Sequence, residues 1–98
     1  MTPDGGIVLV TGGAGAIGAA VCLWLANMGL KVAVADLNVE SAMEVAGSMS
    51  GSGHVGFAMD VADLDAVRGG VDLVASEQGP VDVFVNVASD AASSPEPD

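Results

Sequence analysis

Three glycines, Gly13, Gly15 and Gly18, stand in the spacing Gly-x-Gly-x-x-Gly inside Thr11-Gly12-Gly13-Ala14-Gly15-Ala16-Ile17-Gly18. Between a strand and a helix, each glycine of that spacing has a task. One makes the tight turn, one lets backbone approach a pyrophosphate, and one lets helix and strand pack closely. First-turn N–H groups and the positive end of the helix dipole then hold the anion. This chain has few other means of doing so, because 13 acidic residues face only Lys31 and Arg68, for a formal charge of −11. That balance excludes nucleic acid and an anionic membrane surface as partners. A glycine turn that serves packing alone is the structural alternative.

Asp36 closes the second apolar run. Its carboxylate can accept hydrogen bonds from the hydroxyls of an adenosine ribose, and its charge would repel a 2′-phosphate, which favours NAD over NADP. No basic residue is placed to reverse that, since Lys31 begins the same run and Arg68 falls in a later helix. The alternative role is a strand-end cap. Asp60 ends the third run and could accept from an adenine amino group with Val61 against the ring, or cap the turn that follows. Asn86 ends the fourth run, where strand order should reverse and open α/β sheets bind ligands; it could equally tie two strands together. His54 and Asp82 begin strands at the opposite edge and read as structural. Asp63, Asp65, Asp72 and Glu77 read as a solvated helix face. No cluster has metal-ligand spacing, and the lone Cys22 reads as a small packing residue.

These residues need elements to position them. Ile7–Val10 is a continuous apolar run, as expected of a strand buried on both faces of a parallel sheet. Ile17, Val21, Trp24, Leu25 and Met28 recur at helical spacing, and Gly29 sits where a helix C′ glycine belongs. Lys31–Ala35 is a second strand ending in Asp36. Asn38 should cap a helix over Val39–Ser48, with Ala42, Val45, Ala46 and Met49 inward. His54–Met59 is a third strand ending in Asp60. Asp63 should cap a helix carrying Leu64, Val67, Val71, Val74 and Ala75, softened by Gly69-Gly70. Gly79-Pro80 stops it, and Val81–Val85 leads into Asn86. Alternation of strand and helix with short connections predicts an α/β fold, a parallel sheet covered by helices.

The 98 residues make one small domain, expected over 1–88, with a disordered tail over 89–98. Hydrophobic residues are 51% of the chain and mostly Ala and Val, which suits thin strands against alanine-lined helices. No leader pattern and no membrane-spanning run is seen, and the chain reads as cytoplasmic.

Together these segments resemble the short-chain dehydrogenase/reductase family. Val10–Gly18 is similar to its Thr-Gly-x-x-x-Gly-x-Gly turn, Asp36-Leu37 to its NAD-selecting acidic position, and Asp60-Val61 to its adenine-contacting pair. Gly79–Ala88 is similar to the segment ending in Asn-Asn-Ala-Gly. The resemblance implies a Rossmann-type sheet of four strands, order 3-2-1-4, with three helices. It implies NAD as cofactor, contacted by Gly12, Gly13, Gly15, Ile17, Gly18, Asp36, Leu37, Asp60, Val61, Asn86 and Ala88, and oxidoreductase chemistry on alcohols or ketones.

Three departures accompany the resemblance. Ala16 stands at the middle glycine of the compact branch, while Gly15 fits the spacing of the extended, epimerase-like branch. Val87 and Ser89 replace the second Asn and the Gly of the fourth-strand motif. The family's catalytic Ser and Tyr-x-x-x-Lys follow the fourth strand, whereas this chain has no Tyr and its sole Lys is Lys31. The expectation is therefore a cofactor-binding half, inactive alone. Two other readings stay open: a non-catalytic truncated product or partner-binding module, and a fragment of an extended-branch sugar-nucleotide epimerase. Strand order 3-2-1-4 would leave the fourth strand an open edge and one sheet face half bare, which favours self-association.

Overall fold

The computed structural model describes residues 6–87. Ala88 and the expected tail over 89–98 lie outside that range. The order is β1 (Ile7–Thr11), α1 (Ala16–Asn27), β2 (Lys31–Asp36), α2 (Val39–Ser48), β3 (Val55–Ala58), α3 (Leu64–Glu77) and β4 (Val83–Asn86). The strands form one parallel sheet in the order β3-β2-β1-β4, the Rossmann-type arrangement expected.

The apolar run of β1 is continuous because β1 lies inside the sheet, and every residue of it is buried. Residues pair in parallel register, with Val8 beside Val32 and Val83, and Leu9 beside Ala33 and Phe84. Alternate residues therefore feed two cores. On one face Val8, Val10, Val32 and Val34 pack with Cys22 and Ala26 of α1 and Ala42 of α2. On the other, Ile7, Leu9, Ala33 and Ala35 pack with Met59 and with Val74 of α3. Right-handed crossovers require this split. Each fully buried Val or Leu at the centre contributes about 1.5–3 kcal/mol relative to exposure.

Local polar groups fix the ends of the elements. Asn38 accepts from Ser41 N at 3.1 Å, and Asp63 accepts from Asp65 N and Ala66 N. Gly29 follows the end of α1 with φ of 92°, the left-handed conformation of a C′ glycine. His54 Nδ1 accepts from Val32 N at 3.0 Å while its Nε2 meets Ser50 O at 2.7 Å, so the ring is a structural bridge. Asp82 accepts from Ile7 N at 2.9 Å and donates its own N–H to Ile7 O, joining β4 to the start of β1.

The structure differs from expectation in three places. The inward face of α1 is Gly18, Cys22 and Ala26, whereas Ile17, Trp24 and Met28 are exposed. The helix carries no charged residue, so its apolar period marks no single face, and the sheet selects the small residues that let it approach. Strands β3 and β4 are shorter than the runs His54–Met59 and Val81–Val85, and both lie at sheet edges with one neighbour each. Gly70 is not merely a soft point. It is buried, and a Cβ there would lie 2.6 Å from Met59 Sδ and 3.0 Å from Phe57. Its neighbour Gly69 faces open space.

The same contrast between an open and a closed glycine, Gly69 of α3 and Gly56 of β3, yields a paired stability test. Gly69→Ala should stabilise the protein by about 1 kcal/mol through helix propensity alone. Gly56→Ala should destabilise it by about 1–3 kcal/mol, the usual cost of overpacking, because its Cβ would lie 2.4 Å from the Ala42 carbonyl oxygen. Urea unfolding midpoints measure both, and a loss at Gly69→Ala would contradict the placement of α3.

Candidate nucleotide-binding site

The glycine turn lies at the C-terminal end of β1, in the interior of the sheet. Gly12, with φ of 72°, turns the chain back, and its N–H and that of Gly13 both donate to Ala35 O, at 2.8 and 3.2 Å. Gly15 N donates to Gly12 O at 3.3 Å, and Ala19 N to Gly15 O at 2.7 Å opens the helix. Gly18 is there for packing, since a Cβ would fall 2.1 Å from Gly12 O. Gly13 is there for packing too, with a Cβ 2.8 Å from Val34 Cγ1. Gly15 is different. Its φ of −74° suits any residue, it is exposed, and a Cβ would meet nothing nearer than Gly12 O at 3.7 Å.

The start of α1 also differs electrostatically from the other helix starts. No side chain caps it and no acidic residue stands in its first turn, whereas α2 and α3 carry Asn38 and Asp63 as caps with Glu40 and Asp65 close behind. A helix start leaves unsatisfied N–H groups and partial positive charge. In a chain so rich in acids, this start is left open to an anion.

Asp36 comes to the turn directly. One carboxylate oxygen accepts from Ala14 N at 3.1 Å and the other from Asn38 N at 3.0 Å. It does cap the strand end, and the contact with Ala14 was not legible in the sequence, because it depends on how the turn folds over β2. Leu37 and Ile17 are exposed at 75% and 73%, two large apolar side chains in the segments that flank the site. Asp60 Oδ1 accepts from Ala62 N at 2.9 Å, its turn-capping role, and Val61 packs against the α3-side core. Asn86 ties strands together: its Oδ1 accepts from Thr11 Oγ1 at 2.8 Å, with Val87 N donating to Thr11 O. Thr11 itself, fully buried, was missed as a positioning residue. The sheet thus brings Gly12 to Gly18, Asp36, Asp60 and Asn86 to the C-terminal ends of its strands. Ala88 is outside the described residues. Lys31 and Ile7 pair at the other end of the sheet, and Arg68 is exposed on α3.

The apolar cleft lined by Val55, Gly56, Phe57, Leu73, Val74 and Glu77 shares no residue with this site. Among the described residues no group of His, Cys, Asp and Glu could hold a metal ion, and no helix is long and apolar enough to cross a membrane.

Comparison with known proteins agrees with the fold. The family model for short chain dehydrogenases matches residues 6–97. The D-threitol dehydrogenase of Mycolicibacterium smegmatis is 44% identical over 94 residues, which is 94% of this chain and 36% of that protein. The 2,3-dihydro-2,3-dihydroxybenzoate dehydrogenase of Bacillus subtilis is 37% identical over 87 residues, 33% of its length. The crystal structure of gox2181 superimposes with a TM-score of 0.79 at 33% identity, covering 87% of this chain and 34% of that one. The chain therefore spans about a third of the length of these proteins.

Cys22 lies under the turn, fully buried, its Sγ 4.0 Å from Gly13 O. Burial pushes its thiol up from 9.0 to about 11. The folded state thus keeps its proton where the unfolded state has lost it, so stability should fall as pH rises from about 9 to about 11. Alkylation by iodoacetamide at pH 8 should be slow in the folded protein and fast in urea, and rapid labelling of the native chain would refute the packing beneath Gly13.

Proposed function

The chain belongs to the short-chain dehydrogenase family, and from that premise we propose that its glycine turn binds the adenosine diphosphate half of NAD(H). One observation carries the reading. Packing accounts for Gly13 and Gly18, but nothing in the fold forbids a side chain at Gly15. A backbone kept bare at an exposed, uncapped helix start is what close approach of a pyrophosphate requires. The residues present therefore fit the cofactor that the family implies.

Asp36 favours NAD over NADP. Each of its oxygens holds one backbone N–H, which leaves lone pairs for ribose hydroxyls, while its charge opposes a 2′-phosphate. Asp60 with Val61 would receive the adenine, and Leu37 would cover its other side. Asn86, with Ala88 beyond it, would border the nicotinamide half. The bound nicotinamide supplies hydride transfer to or from an alcohol or ketone, in keeping with relatives named as dehydrogenases. Within these 98 residues there is no Tyr, and the only Lys begins β2. The stretch is thus a cofactor cradle, without turnover of its own.

Titration of the chain with NADH, followed by nucleotide fluorescence or calorimetry, should show saturable binding and weaker binding of NADPH. Gly15→Val should abolish binding at a cost of only about 1 kcal/mol in unfolding stability, the usual cost of a poor N-cap residue, so that the variant still folds. Asp36→Ala should weaken NADH by at least about tenfold, the worth of one hydrogen bond to a charged group. Wild-type affinity in the Gly15→Val protein would overturn the reading.

A further inference from the structure

We infer that Asp36 is also the positioning residue of the glycine turn, holding it in its anion-receiving shape; the inference rests on the nucleotide reading above. Three consecutive turn amides are tied to the last two residues of β2. Gly12 N and Gly13 N share Ala35 O, and Ala14 N takes an Asp36 oxygen at 3.1 Å. The carboxylate is held from its other side by Asn38 N at 3.0 Å, and Asn38 in turn caps α2 through Ser41 N. Asp36 is half-buried between these partners.

The Ala14 tether is the last before Gly15, the residue at which the ligand approaches. Ala35 O already serves two donors, so without Asp36 the Ala14–Gly15 segment loses its hold on β2. A side chain at the tip of one strand thereby sets the backbone at the tip of another. The acid has an opposing effect as well, since its charge repels any phosphate bound close by. Those two effects have opposite signs, which makes the role measurable.

The probes are ADP and 2′,3′-dideoxy-ADP, the second having no hydroxyl for Asp36 to accept from. If Asp36 serves the ribose alone, Asp36→Ala leaves dideoxy-ADP affinity unchanged or raises it by removing repulsion. The positioning role requires that affinity to fall, by about tenfold for one charge-assisted hydrogen bond. In the ligand-free chain the Ala14 amide should exchange with solvent deuterium about tenfold faster in Asp36→Ala. Asp36→Asn, whose amide oxygen can still accept from Ala14 N, should retain most of the protection while losing NADH over NADPH preference. ADP binding together with an Ala14 amide indifferent to Asp36→Ala, or with undiminished dideoxy-ADP affinity, overturns the positioning role alone. Failure of the wild-type chain to bind ADP overturns the nucleotide reading and this role with it.

Discussion

Gly18 in the first turn of α1 lies against the backbone of Gly12 at the end of β1, closer than any side chain would allow. Much of the molecule is arranged around that contact. It sets the helix down on the sheet over Gly13, so that Cys22 and Ala26 fill the space between α1 and the valines of β1 and β2. It also aims the open end of the helix at the edge where the strands finish. A larger residue at Gly18 would lift the helix, open the core beneath Cys22, and turn the first-turn amides away from that edge. On the proposed reading, the contact that packs the helix also sets its amides to receive an anion.

The charge of the chain bears on that reading. With 13 acids and two basic side chains, of which Lys31 begins β2 beside Ile7 and Arg68 is exposed on α3, a phosphate at the sheet edge would be met chiefly by dipoles. The acids themselves are used as acceptors for backbone amides: Asp36 for Ala14 and Asn38, Asp60 for Ala62, Asp63 for Asp65 and Ala66, Asp82 for Ile7. Each such bond fixes a strand end or a helix start, where orphan N–H groups collect. The start of α1 is the exception, left without a side-chain cap and without an acid in its first turn.

The elements, their order and the caps Asn38 and Asp63 were legible in the sequence, because each rests on a local signal: an apolar run, a capping side chain, a glycine after a helix. The family turn and Asp36 were legible for the same reason. What was not legible depends on which atoms the fold brings face to face. The apolar residues of α1 surround the helix, so periodicity could not choose between the Trp24 side and the Cys22 side; only the sheet decides. Asn86 allowed two roles even with β4 expected beside β1, and its choice of Thr11 as partner depends on the register and rotamers that only the folded structure fixes. Gly70 read as a weak point in a helix, and its contact with Met59 and Phe57 follows from the angle at which α3 crosses β3.

The polar groups at the sheet edge already have partners within the chain. Thr11 and Asn86 hold each other, Asp60 holds Ala62, and Asp36 holds two amides. A ligand there need not displace these bonds. Two carboxylate oxygens offer about four acceptor sites, so Asp36 can keep its two amides and still receive two hydroxyls. Asn86, accepting from Thr11 through Oδ1, has no partner for its NH₂ among the described residues and could donate it. Side chains fixed in this way lose little further freedom on binding, which removes one of the costs of association. On the nucleotide reading, an acid-rich chain would obtain its specificity from order imposed before the ligand arrives, where a basic site would rely on attraction.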